Sequence, residues 1–143
     1  MKFLKLKNRR ALITGASSGL GFEIAKGFIN QGADLMICSR SKKNLENAFL
    51  ALKKLKTEEQ KIYMKLADIS KKNECDDLLE ESLKAFESVD ILVNNAGIIG
   101  PKGNFENCSW NEWRNTIETN LFGSAYLIKS FLPSFKKNNY GRI

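Results

Sequence analysis

The segment Thr14-Gly15-Ala16-Ser17-Ser18-Gly19-Leu20-Gly21 is the part of this chain best suited to chemistry. Its glycines form a GxxxGxG pattern between a short apolar run and a segment of helical periodicity. A diphosphate needs backbone N–H groups at a helix N-terminus with no Cβ in front of them. Gly15 permits the tight turn, Gly19 lets the backbone approach the phosphates, and Gly21 lets the helix pack closely on the strand. Ser17 and Ser18 add hydroxyl donors, and Leu20 lies between the last two glycines.

A second apolar run closes on Ser39-Arg40-Ser41, nineteen residues after Gly21. In dinucleotide-binding folds an acidic residue near this point takes the adenosine ribose 2′-OH, whereas an arginine accommodates a 2′-phosphate. Here it is Arg40, followed by Lys42 and Lys43. A charge-assisted hydrogen bond is worth about 1.5–3 kcal/mol, roughly a 10- to 150-fold preference. NADP(H) is therefore expected over NAD(H). Asp68-Ile69 and Asn94-Asn95-Ala96-Gly97 close the next two apolar runs. Strand C-termini are where ligands bind in open α/β sheets. Taken alone, Asp68 reads as a cap or loop residue and Asn94-Asn95 as a turn.

Other chemistries drop out. The chain has no histidine, so neither a Ser–His or Cys–His nucleophile pair nor an imidazole metal site can form. Cys38, Cys75 and Cys108 are widely spaced and form no CxxC pattern. A sparse, odd count fits a reduced, cytoplasmic setting. The first ten residues carry Lys2, Lys5, Lys7, Arg9 and Arg10, with no apolar core of signal-peptide length behind them. No stretch approaches the ~18 apolar residues of a membrane span. Lys+Arg number 23 against 16 Asp+Glu, a net +7. The positive residues are spread along the whole chain without a nucleic-acid-binding motif, so the basicity does not point to nucleic acid.

These residues need a scaffold, and the patterning supplies one. Arg10 to Thr14 reads as a strand and Gly19 to Asn30 as a helix, with Gly32 at its C-terminal end. Ala33 to Ser39 is a second strand, continuously apolar as strands covered on both faces are. Ser41 caps a helix running to about Lys56, and Ile62 to Ala67 is a third strand. Ser70 is the expected cap of a third helix with Leu79, Leu83 and Phe86 on one face. Val89 to Val93 is a fourth strand. Ser109-Trp110-Asn111-Glu112 is a capping box. It opens a long helix with Trp113, Ile117, Leu121, Ala125, Ile128 and Leu132 as the expected apolar stripe, and Pro133 bends or ends it. Gly141-Arg142-Ile143 looks like the opening of a fifth strand. The alternation predicts an α/β fold: a doubly wound parallel sheet with helices on both faces, in one domain spanning residues 1–143.

The combination of Thr14–Gly21, Asp68-Ile69, Asn94–Gly97 and Thr119-Asn120 resembles the short-chain dehydrogenase/reductase family, in order and spacing, over essentially the whole chain. The resemblance implies a Rossmann-type, three-layer α/β/α fold that binds NAD(P). It implies that Asp68 contacts the adenine with backbone help from Ile69, that Asn94 braces the central strand, and that Ala96 and Gly97 lie on the adenosine ribose side. Asn120 corresponds to the family's active-site asparagine, which distorts its helix and holds a water in the proton relay. The implied reaction is hydride transfer between the nicotinamide and a small-molecule carbonyl or alcohol. The implied assembly of the intact protein is a homo-oligomer that packs through the long helix.

The family's chemistry uses a Ser and a Tyr-x-x-x-Lys, with the tyrosine as general acid/base. Here Tyr63 is followed four residues on by Ala67 and Tyr126 by Ser130, while Tyr140 has three residues after it. No Tyr-x-x-x-Lys occurs. The expectation is the N-terminal, cofactor-binding fragment of an NADP(H)-dependent oxidoreductase, truncated at the start of strand 5. The alternative is a non-catalytic dinucleotide-binding module. The loop Ile98 to Cys108 borders the substrate side, but its composition names no substrate.

Overall fold

The computed structural model describes residues 5–143; Lys2 of the opening basic segment lies outside them. Strands β1 (Arg10–Thr14), β2 (Asp34–Ser39), β3 (Ile62–Leu66) and β4 (Ile91–Val93) form one parallel sheet in the order β3-β2-β1-β4. Helices α1 (Gly19–Asn30), α2 (Lys42–Lys53) and α3 (Lys72–Phe86) connect them. After β4 come α4 (Trp110–Ile117), a π-helical turn (Glu118–Gly123) and α5 (Ser124–Lys137). At the position of the expected fifth strand, Arg142 makes one parallel bridge to Ile91.

The two-residue period of a strand explains why the apolar runs are continuous. Ala11 and Ile13 of β1, with Leu35 and Ile37 of β2, face α1 and α2 and pack on Ala25, Ile29, Leu45 and Leu52. Leu12, Met36, Cys38 and Leu92 face the other way, against Leu78 and Phe86 of α3 and Leu127 and Phe131 of α5. Two cores thus share one sheet. Ser41 caps α2 by accepting from the Asn44 N–H at 3.4 Å, and Ser109 caps α4 by accepting from the Glu112 N–H at 3.4 Å.

The strand bottoms are tied by an ion pair. Asp90, whose side chain is 5% exposed, accepts from Arg10 Nε at 2.8 Å, Nη2 at 3.1 Å and the Arg10 backbone N–H at 2.9 Å. Arg10 Nη1 also donates to the Phe86 carbonyl. Burial alone would push the Asp90 carboxyl up. The Arg10 hydrogen bonds and charge outweigh burial and hold it below the usual carboxylate range.

Three local expectations are corrected. Ser70 does not cap α3. Its hydroxyl and its N–H both go to Asp68 Oδ1, and the helix starts after Lys71, which makes no side-chain cap. The buried face of α3 is Cys75, Leu78, Ser82 and Phe86, so Leu79 and Leu83 only flank it. The long helix is rotated from the expected stripe. Thr119, Gly123, Leu127, Phe131 and Phe135 are buried, while Trp113, Ile117, Leu121, Ala125 and Leu132 are exposed and Ile128 is half-buried. Apolar residues surround this helix, so periodicity admits two faces. Packing of Gly123 against the Ile69 carbonyl selects the small-residue face. Pro133 lies inside α5, which continues to Lys137.

Candidate dinucleotide-binding site

The chain winds away from β1 in opposite directions on its two sides, toward β2 and toward β4. The helices that follow β1 and β4, α1 and α5, therefore pack on opposite faces of the sheet, and a crevice lies at the carboxyl ends of the strands. A cleft of about 230 Å³ lies there. Complete ligand pockets start at roughly 300 Å³, so this cleft accommodates part of a dinucleotide. Gly15, Ser17, Ser18, Arg40, Ile69, Ala96 and Gly97 line it, together with Ser39, Ile98 and Thr119, while Gly19, Leu20, Gly21, Asp68 and Asn94 do not. A larger cavity of about 680 Å³ sits at the opposite end of the sheet, among Lys7, Gly32, Asp34 and Thr57 to Gln60. No residue lining it starts a helix.

Two glycines shape the mouth. Gly15 has φ +64°, and a Cβ there would stand 2.7 Å from Ala96 Cα, so only glycine lets the β1 and β4 loops meet. Gly19, the first residue of α1, has φ +55° with no protein atom within 4 Å of a Cβ position. The first N–H groups of an α-helix have no partner within the helix, and a glycine at this start leaves no side chain beside them, the arrangement that attracts phosphate. Leu20 is 71% exposed beside them, and Gly21 is buried against Asn95.

The brace of the central strands is Asn95, which corrects the assignment to Asn94. The Asn95 amide donates to Thr14 O at 3.1 Å and Gly15 O at 3.2 Å. Thr14 Oγ1 accepts the Asn95 and Ala96 N–H groups, both at 3.0 Å. The Asn94 side-chain oxygen and nitrogen are buried without a hydrogen-bond partner, as is Thr119 Oγ1. Asparagine is a common turn residue, and the two neighbours are indistinguishable by type; only the pairing of β4 with β1 decides which one faces Thr14. Asn95→Ala is expected to cost about 1–3 kcal/mol of stability by stripping two carbonyls of their donor. Urea unfolding measures it.

On the β2 side, Ser39 Oγ lies 2.8 Å from Ser17 Oγ and accepts from the Ser41 N–H. Arg40 is next to it, 47% exposed, with Nη1 4.0 Å from Asp68 Oδ2. The Asp68 N–H donates to Glu74 at 2.7 Å. That bond, and then Lys71, hold the Glu74 carboxyl below its usual range. Ser39 was missed from sequence because a serine at a strand end carries no signal until the Gly15 loop is folded beside it.

Asn120 sits in the π-helical turn, the distortion expected of it. Its Oδ1 accepts from the Ile98 N–H at 2.8 Å and its Nδ2 donates to Ile98 O at 2.9 Å, so it clamps the loop after Gly97. π-turns concentrate at functional sites. No tyrosine reaches the crevice. Tyr126 donates to Asp76 at 2.6 Å, Tyr63 stacks edgewise on Phe86, and Tyr140 lies under the Arg9 guanidinium. Burial pushes the Cys38 thiol up to about 12 and the Cys75 thiol up to about 11, so neither is a nucleophile near neutral pH. Among the described residues, no cluster of three His, Cys, Asp or Glu could hold a metal, and no helix is long and apolar enough to cross a membrane.

Comparison with known proteins follows the same lines. Dehydrogenase/reductase SDR family member 7B of Xenopus tropicalis is 35% identical over 141 residues, covering 96% of this chain and 45% of the relative. L-Sorbose reductase from Gluconobacter frateurii, solved with NADPH and L-sorbose, superposes with a TM-score of 0.89 at 26% identity, over 98% of this chain and 52% of its own. NAD+-bound xylitol dehydrogenase, 20% identical, shares the fold with a TM-score of 0.90 over 97% of this chain and 52% of its own. The chain spans about half the length of these relatives. The sequence model described as short chain dehydrogenase matches residues 9–143, so this chain belongs to that family of oxidoreductases.

Proposed function

We propose that these residues act as one NAD(P)-binding domain of an NADP(H)-dependent oxidoreductase that moves hydride between the nicotinamide and a carbonyl or alcohol. The observation that carries this reading is Arg40, a guanidinium at the end of β2, on the rim of the cleft shaped by Gly15. The amides of Gly19, Leu20 and Gly21 hold the diphosphate. Arg40, with Ser17 and Ser39 beside it, takes the 2′-phosphate, aided by Lys42 and Lys43. Asp68 and Ile69 meet the adenine, Ala96 and Gly97 the adenosine ribose, and Asn94 borders it. When bound, the cofactor supplies or accepts the hydride. Asn120, through its clamp on Ile98, sets the loop on the substrate side. The NADPH named with the L-sorbose reductase supports this choice, and the NAD+ named with xylitol dehydrogenase is its counter-case.

No Tyr-x-x-x-Lys lies in the 143 residues. We propose that these 143 residues bind the adenosine end of the cofactor weakly and do not turn substrate over by themselves, and that the protein is cytoplasmic. The second reading is a non-catalytic dinucleotide-binding module. The exposed Trp110, Leu121 and Phe122 support a homo-oligomer of the intact protein.

Gly19→Ala tests the diphosphate site. The substitution meets no protein atom and strains only the backbone, by about 1–2 kcal/mol. It adds a methyl at the first residue of α1, where the proposed diphosphate sits, so calorimetry is expected to show NADPH affinity falling at least about tenfold, the loss of a charge-assisted contact. Unchanged affinity in the folded variant would remove the diphosphate from this loop.

A further inference from the structure

An ion pair between Arg40 and Asp68 lies at the rim of the crevice. Asp68 is held firmly: Oδ1 accepts from the Ser70 N–H at 3.0 Å and the Ser70 hydroxyl at 2.8 Å, and its own N–H is bound to Glu74. Its remaining oxygen, Oδ2, faces the Arg40 guanidinium 4.0 Å away. Among the described residues this is the one carboxylate within ion-pair reach of Arg40. Arg40 is the more exposed partner, with 47% of its side chain open against 20% for Asp68, so it is the half free to leave.

We infer that Asp68 sets the strength of 2′-phosphate recognition: its Oδ2 occupies Arg40 in the free protein, and a 2′-phosphate has to win the guanidinium from it. The inference rests on the reading of Arg40 as the 2′-phosphate partner. A nucleotide with a bare 2′-OH leaves the pair closed and loses nothing. A nucleotide with a 2′-phosphate exchanges one charge partner for another, and gains only the difference. Asp68 therefore lowers the discrimination that Arg40 alone would provide, separately from any contact Asp68 makes to the adenine. Adenine contacts are common to both nucleotides and cancel in their ratio. Partly exposed pairs couple weakly, so the effect on the ratio is about two- to fivefold.

The test is a double-mutant cycle in the 143-residue chain. Asp68→Asn and Arg40→Ser are made singly and together. Calorimetry at fixed ionic strength gives dissociation constants for 2′,5′-ADP and 5′-AMP. Asparagine keeps the Oδ1 acceptor for Ser70, and Asp68→Ser serves if the first variant does not fold. The expected result is a preference for 2′,5′-ADP raised about two- to fivefold by D68N, and not raised by D68N in the R40S background. An unchanged ratio overturns the inference. A rise of equal size in both backgrounds also overturns it, because it would mark direct repulsion between Asp68 and the phosphate. If R40S alone leaves the ratio unchanged, the 2′-phosphate reading fails first and takes this one with it.

Discussion

Replacing Arg40 with Asp is expected to reverse the nucleotide preference of the chain. The wild-type protein should bind 2′,5′-ADP about 10- to 150-fold more tightly than 5′-AMP, the range of one charge-assisted contact. Arg40 is 47% exposed, which places the effect toward the lower part of that range. An aspartate at the same strand end removes the guanidinium, repels the 2′-phosphate and offers a carboxylate to a ribose 2′-OH. Both changes act in the same direction. The ratio of the two dissociation constants, measured by calorimetry on wild type and R40D, is the readout. A ratio that stays on the 2′,5′-ADP side by the same factor would show that the phosphate is recognised elsewhere.

Asp90→Ala is expected to be the most destabilising single change considered. It leaves the Arg10 guanidinium without its carboxylate and removes the acceptor of the Arg10 backbone N–H. Breaking a buried pair from one side costs roughly 3–5 kcal/mol. Arg10 keeps 30% exposure and can regain some water, so about 3 kcal/mol is the expected figure. That is a large share of the roughly 5–15 kcal/mol that holds a domain together. The effect depends on pH with a defined sign. The folded-state pKa of Asp90 is held below its unfolded value near 3.9, so the unfolded chain takes the proton first. The stabilisation is complete well above pH ~4 and is lost as pH falls from there through the folded-state pKa. Urea unfolding of wild type and D90A at several pH values should therefore show a gap that is widest near neutrality and narrows in acid. A gap that persists unchanged to pH ~2 would mean the ion pair is not its source.

The strands and the nucleotide loop were legible because each depends on short-range pattern. Ala11-Leu12-Ile13 and Leu35-Met36-Ile37-Cys38 are apolar without alternation because the sheet is covered on both faces, by α1 and α2 on one side and α3 and α5 on the other. The glycine spacing of Thr14 to Gly21 needed no partner to be recognised, and Arg40 followed from where β2 ends. Long-range choices were not legible. Whether Asn94 or Asn95 faces Thr14 depends on the register Ile13↔Val93, which no local signal encodes. Ser70 reads as a helix cap by type and position, but it donates its hydroxyl and N–H to the Asp68 carboxylate, and the helix starts one residue later, after Lys71. The rotation of α5 was hidden by its surplus of apolar residues. The large side chains Trp113, Leu121 and Leu132 suited a core stripe, yet the helix packs through Thr119 and Gly123, where small residues allow a close approach.

The central claim is that the amides at the start of α1 and the Arg40 guanidinium together receive a phosphorylated dinucleotide. Amide chemical-shift mapping of the 143-residue chain during titration with NADPH tests it at single-residue resolution. The largest shifts are predicted at Gly19, Leu20, Gly21, Arg40 and Gly97. Shifts gathered instead around Lys7, Gly32 and Thr57 to Gln60, at the larger cavity on the far end of the sheet, would contradict the claim.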